Sequence, residues 1–182
     1  MDTRLPTRLL VLLCAMGAGA SAVSAQPAIG WLDPLIGVRD TADTYYPVTG
    51  EPILERGVRT CARVLHDVYL RCETLVSRSD GRGRSYWFLA NYNGTEKRFE
   101  MLSLWSNVPQ KAIQALTPDA ERRQWRIANL AVIGDGGRSN DHWSELVIES
   151  PGQIVWTGRR VAPGGDPATS PISFRETWTR RP

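Results

Sequence analysis

The residues whose types and spacing could do chemistry lie in the last third of the chain. His142, Arg160 and Glu176 are a base, a cation and an acid, each set in a run that alternates apolar and polar residues as strands do. Alternation along SNDHWSELVIES points His142, Ser144, Leu146 and Ile148 one way. Ile154, Trp156, Gly158 and Arg160 of QIVWTGRRV then face them, and Phe174, Glu176 and Trp178 of ISFRETWTR continue the surface. An acid, a base and a cation in a dry cavity are what proton transfer to a bound ligand would use, because burial and pairing move pKa values towards neutrality. The plainer reading makes Arg160 and Glu176 a structural ion pair at a barrel end and His142 a hydrogen-bonded wall residue.

No residue is therefore assigned a catalytic role. The expected ligand-binding candidates are Phe88, Asn129 and His142, then Trp156, Arg160, Phe174 and Glu176, a largely apolar wall carrying a few polar groups. No G-x-S-x-G, H-E-x-x-H, phosphate loop or dinucleotide fingerprint occurs, and Gly134 to Gly137 lacks the strand-loop-helix context of a phosphate cradle. No metal or cofactor is expected. Asn93-Gly94-Thr95 matches a glycosylation sequon, but a tight turn accounts for Asn-Gly.

These side chains need strands to position them. In RGVRTCARVLHDVYLRCETLVS, a turn centred on His66-Asp67 sets Cys61 directly opposite Cys72. Cys72 shares its face with Val68, Leu70 and Thr74, whereas Cys61 shares one with Arg59 and Arg63, so a bulge or longer loop at the turn is an open alternative. Asn93-Gly94 predicts a two-residue hairpin that sets Phe88 against Phe99 and Tyr86 against Met101. QKAIQAL, within 107–121, reads as about two helical turns. The glycines at 134–137 join two further strands with Arg126 opposite Glu145 and Asn129 opposite His142. Pro34 limits the start of the domain to a short turn or one helical turn before a strand near Ile36–Thr44. About nine short strands with adjacent antiparallel pairing favour an all-β up-and-down barrel. Six of the seven tryptophans fall one to a strand, as core filler or as pocket wall.

Residues 1–25 carry Arg4 and Arg8, then LLVLLCAMGAGA and SAVSA, the order of a secretory signal, which leaves residues 26–182 as a single domain. Its apolar run is short for a membrane span, no other segment qualifies, and Leu13 before Cys14 argues against a lipoprotein site. Removal takes Lys+Arg from 22 to 20 and Asp+Glu from 19 to 18, a formal +2, with scattered arginines that read as solvated strand faces and give no nucleic-acid footprint. Two cysteines remain in an oxidising compartment, periplasmic or extracellular, so a Cys61–Cys72 disulfide is expected. Zinc is a poor rival, since two cysteines and two distant histidines lack its paired spacing.

WLDPLIG, the Cys61–Cys72 hairpin, YWFLANYN and the terminal FRETWTR together resemble uncharacterised bacterial exported proteins with a lipocalin-like, calycin-type barrel. The resemblance implies a closed antiparallel barrel with an interior cavity and brings no activity or catalytic residues. Similar nitrobindin-type barrels hold haem through a histidine, but their pattern is not visible around His66 or His142. Three readings follow: a binding barrel for a small apolar or amphipathic ligand, a barrel-type isomerase or hydrolase using His142, Glu176 and Arg160, or a solid-core structural protein of the envelope. The oligomeric state is not legible.

Overall fold

The structure is a computed structural model that describes residues 29–134 and 142–182. The expected signal over 1–25 and most of the glycine turn at 134–137 lie outside the described residues. A 3-10 helix, η1 (Ile29–Leu35), precedes ten strands: β1 (Gly37–Tyr45), β2 (Ile53–Val64), β3 (Tyr69–Arg78), β4 (Gly83–Asn93), β5 (Arg98–Trp105), β6 (Lys111–Asp119), β7 (Gln124–Ile133), β8 (His142–Ser150), β9 (Gln153–Arg160) and β10 (Ile172–Arg180). Each pairs antiparallel with the next, and β1 pairs with β10, closing the sheet into a barrel with no free edge.

The expected up-and-down barrel is thus found, with one strand more than expected because QKAIQAL is not helical. Ala112, Gln114 and Leu116 of that segment face inward along β6, and Ile113 and Ala115 face outward. Lys, Gln, Ala and Leu are good helix formers, but pairing to β5 and β7 on both sides outweighs that propensity.

The β2–β3 register is the expected one, Cys61 opposite Cys72, and the two are disulfide-bonded. No bulge interrupts that ladder. The difficulty over the two faces disappears because Arg59 points inward, fully enclosed in the barrel. The β4–β5 hairpin differs from expectation: Asn93 pairs with Arg98 and Tyr92 with Phe99, so four residues form the turn. Asn93 Oδ1 accepts from the Thr95 and Glu96 amides, both at 3.1 Å, and Lys97 adopts a φ of 52°. The side chain of Asn93 builds the turn while its backbone stays in the strand. This shift leaves each residue on its expected face, since only a shift by an odd number of residues exchanges the faces of a strand.

One barrel end is plugged by η1. Leu32 and Leu35 of η1 insert between the strands and join Leu70, Phe99, Met101 and Ile127 in one apolar cluster. Trp31 meets Trp125 edge-on at 6.4 Å. Arg39, buried on β1, donates to the carbonyls of Pro34 and Leu35, each at 2.7 Å. Those carbonyls have no partner within a helix that ends there, so a buried cation satisfies them and anchors the plug.

Candidate functional site

The opposite end is hollow. A cavity of about 390 Å³ lies there, lined by inward residues of β4 to β10 and by Tyr45 of β1. Its aromatic wall comes from β9 and β10. Glu176 stands opposite Trp156, Phe174 opposite Gly158, and Ser144 and His142 follow across β8 opposite Gly158 and Arg160. The His142 and Phe174 rings stack at 5.6 Å and 14°. Gly158 makes this possible: a Cβ there would lie 2.1 Å from Phe174 Cε1 and 2.8 Å from His142 Cε1, so the strand must be bare where the rings cross it. Trp156 meets Phe174 edge-on at 5.5 Å and Phe88 at 6.0 Å.

A polar stripe crosses the facing wall. Ser103 Oγ donates to Gln114 Oε1 at 2.7 Å, and Gln114 Nε2 donates to Asn129 Oδ1 at 2.9 Å. The chain runs sideways across β5, β6 and β7 at one height in the barrel, aided by the irregularity in the β6–β7 ladder at Ile113/Gln114.

Between cavity and plug lies a layer of buried charge. Arg59 Nη2 is 2.7 Å from Glu176 Oε1, and Arg59 Nε donates to Thr74 Oγ1 at 2.6 Å. The guanidinium lies 3.9 Å from the Trp178 ring centroid, with the rings of Tyr86, Phe88 and Trp156 at 5.2, 5.6 and 5.6 Å, so aromatic faces replace much of its lost water. On the cavity's other flank, Arg84 pairs with Glu55 at 2.7 Å and packs over Tyr45 at 4.5 Å. The ladders place Asp43 directly between Glu55 on β2 and Glu176 on β10. Three carboxyls therefore stand in a row, the outer two each with an arginine, and the middle one has no ion-pair partner among the described residues.

Tyr86 fixes the proton count of that row. Its hydroxyl lies 3.1 Å from both Asp43 Oδ2 and Glu176 Oε1, and one hydroxyl proton cannot be donated to both. A proton on Asp43, donated to Tyr86, lets Tyr86 donate to Glu176, which stays ionised against Arg59. Asp43 agrees: burial first, and the Glu176 charge second, push its carboxyl up to about 8. Burial raises Glu176 against the pull of Arg59. Burial, then Glu176, holds the Tyr86 phenol well above its ordinary value, so it stays protonated. For Arg59, burial pulls down, and Glu176, Tyr86 and Asp43 together more than reverse it.

All seven sequence-predicted candidates, Phe88, Asn129, His142, Trp156, Arg160, Phe174 and Glu176, line this one cavity. The expected Arg160–Glu176 ion pair is not formed. Glu176 faces Trp156, four residues along β9 from Arg160, about 13 Å of strand. Arg160 instead donates through Nη2 to the Tyr46 carbonyl. The expected pairing of Asn129 with His142 falls just beyond the recorded β7–β8 ladder, which keeps Arg126 opposite Glu145 and ends at Ala128 opposite Trp143. Trp87, Trp105 and Trp156 line the cavity, Trp125 and Trp178 are core, and Trp156 belongs to the core cluster as well.

Sequence reasoning missed Arg59, Asp43, Tyr86, Arg84 and the Ser103–Gln114 stripe. The reading of arginines as solvated faces fails for Arg39 and Arg59 because each finds partners inside: carbonyls for one, a carboxylate and four rings for the other. The signal was present in Arg59, which shares a face with the disulfide-bonded Cys61.

No family model matches the chain, and no curated protein matches it. Among solved structures, Rv2717c from M. tuberculosis is 11% identical with a TM-score of 0.61, covering 86% of this chain and 98% of that one. The S-type phycobiliprotein lyase CPES from Guillardia theta is 10% identical with a TM-score of 0.54, covering 84% and 91%. A redesigned β-barrel, mFAP0, bound to DFHBI, is 13% identical with a TM-score of 0.43, covering 81% and 99%. At these identities the likeness is one of fold, a closed β-barrel, and function must be argued from the site.

Proposed function

We propose that this protein is an exported barrel that holds a small apolar or amphipathic ligand in the cavity at its open end. The observation that carries this reading is the cavity itself. Its volume of about 390 Å³ falls in the range of ligand pockets, about 300–1,000 Å³, and its wall joins stacked aromatics to a few convergent polar groups. A solid-core structural protein would have no reason to keep such a space, or to place a bare Gly158 beneath a stacked ring pair. The resemblance of WLDPLIG and FRETWTR to exported lipocalin-like proteins, and the disulfide, support export. The barrel fold shared with the phycobiliprotein lyase suits a binding role without indicating the ligand.

The isomerase or hydrolase reading finds less support, because Glu176 is committed to Arg59 and Tyr86, and Arg160 reaches a backbone carbonyl. Native mass spectrometry of protein purified from its own cell envelope tests the binding role. The expected result is a stoichiometric small-molecule adduct lost on denaturation. No adduct, together with no thermal shift in a broad screen of apolar and amphipathic compounds, would overturn the proposal.

A further inference from the structure

The cavity's unmet hydrogen-bonding capacity indicates the ligand's chemistry. Two buried polar side-chain atoms in its lining lack a partner: Ser173 Oγ, in a residue 8% exposed, and Trp156 Nε1. An indole N–H can only donate, so it wants an acceptor, and a hydroxyl can donate to one as well as accept. Ser173 is also the extra residue where the β9–β10 ladder slips between Ile172 and Phe174, a bulge of the kind that re-aims a side chain.

Arg160 belongs to the same corner. Its Nη2 donates to the Tyr46 carbonyl, the Tyr46 amide donates to the Ser173 carbonyl at 2.9 Å, and the Arg160 amide donates to the Pro171 carbonyl at 3.0 Å. The other two charged groups in the lining are already neutralised, Arg84 by Glu55 and Glu176 by Arg59. Arg160 has no carboxylate partner among the ion pairs of the described residues. One uncompensated cation beside the unpartnered Ser173 hydroxyl matches a single negative charge on an acceptor-rich group.

Resting on the binding role proposed above, we infer that the ligand is a monoanionic amphiphile, a carboxylate on an apolar body. Its head sits at the Arg160–Ser173 corner and its body against Phe174, Trp156 and Phe88. A guanidinium with remaining N–H groups fits the planar carboxylate, and a dianionic phosphate would bring a second charge with no cation to meet it.

Decanoate, decan-1-ol and decylamine separate the possibilities, with binding to the full-length protein read by calorimetry and by tryptophan fluorescence. Decanoate should bind at least about tenfold more tightly than the alcohol, and the amine should bind more weakly still. Ser173→Ala removes a hydroxyl with no protein partner and should leave folding intact while reducing the decanoate preference severalfold. Arg160→Gln should bring decanoate and decan-1-ol to parity. Equal binding of decanoate and decan-1-ol by the unsubstituted protein would overturn the anion seat and leave the binding role standing. Binding of none of the three would contradict both.

Discussion

The two ends of this barrel spend their interiors differently. At the η1 end, Leu32, Leu35, Phe99 and Ile127 pack into one apolar core, and Arg39, a buried cation there, is used up on helix carbonyls. At the other end the strands carry Arg59, Glu176, Asp43, Tyr86, Gln114 and Ser103 inward, positions where a barrel built only for stability would carry valine or leucine. Burying that charge is costly unless every group is matched, and replacing a buried ion pair by apolar residues is often neutral or stabilising. Its retention beside a cavity teaches that the open end is shaped for something other than stability, while the plugged end holds the barrel together.

The largest expected effect breaks the charged layer. Arg59→Met leaves Glu176 without its partner in a closed site, as an unpaired charge or a carboxyl that must take up a proton, and should cost about 3–5 kcal/mol in urea unfolding. Adding Glu176→Gln should recover a good part of that loss. A double variant whose losses simply add would show that the two side chains do not act as a pair. At the plugged end, Leu35→Ala should cost about 2–5 kcal/mol by leaving a void in close packing, without altering ligand binding at the far end. Loss of binding in step with loss of stability would erase the distinction between the ends.

The disulfide links adjacent strands with 11 residues of sequence separation, and its removal through paired Cys→Ser changes should cost about 2–4 kcal/mol. Reduction of the oxidised protein should add about two daltons, one hydrogen on each sulfur. Two thiols alkylated without reductant would contradict the bridge.

A smaller effect appears with pH. Asp43 has a folded pKa of about 8 against an ordinary carboxyl near 3.8. The folded protein therefore holds a proton that the unfolded chain has released, and the stability this group contributes is complete below about pH 4 and falls as pH rises to about 8. Asp43→Asn should flatten that decline and be the more stable form at pH 8. An unchanged slope would show that Asp43 does not carry the proton shared with Tyr86.

How much of this was legible follows from where each residue's partners lie. The inward sets on β8, β9 and β10 were readable because polar and apolar residues alternate along most of each strand and the two-residue turn at Pro151–Gly152 sets β8 against β9, which is why the seven candidates come together in space. β6 was misread because its residues favour a helix in isolation and only its neighbours make it a strand. The β4–β5 turn was misplaced because Asn93 serves the turn with its side chain rather than its backbone. The charged layer was hidden for another reason. Arginine on an alternating strand looks solvated until the barrel closes and brings β10 beside β1 and β2, more than 100 residues away in the chain, so that Asp43, Glu55 and Glu176 fall in one row.

Filling the hollow end tests the division most directly. Ala112 lines the cavity and is 2% exposed, so Ala112→Trp puts an indole into that space without touching the plug or the charged layer. Native mass spectra of this variant and of the unsubstituted protein, both purified from the cell envelope, should show an adduct on the unsubstituted protein that is sharply reduced on the variant, with both folded. An adduct of equal occupancy on the two would place the ligand elsewhere and contradict the division of the barrel into a plug and a binding end.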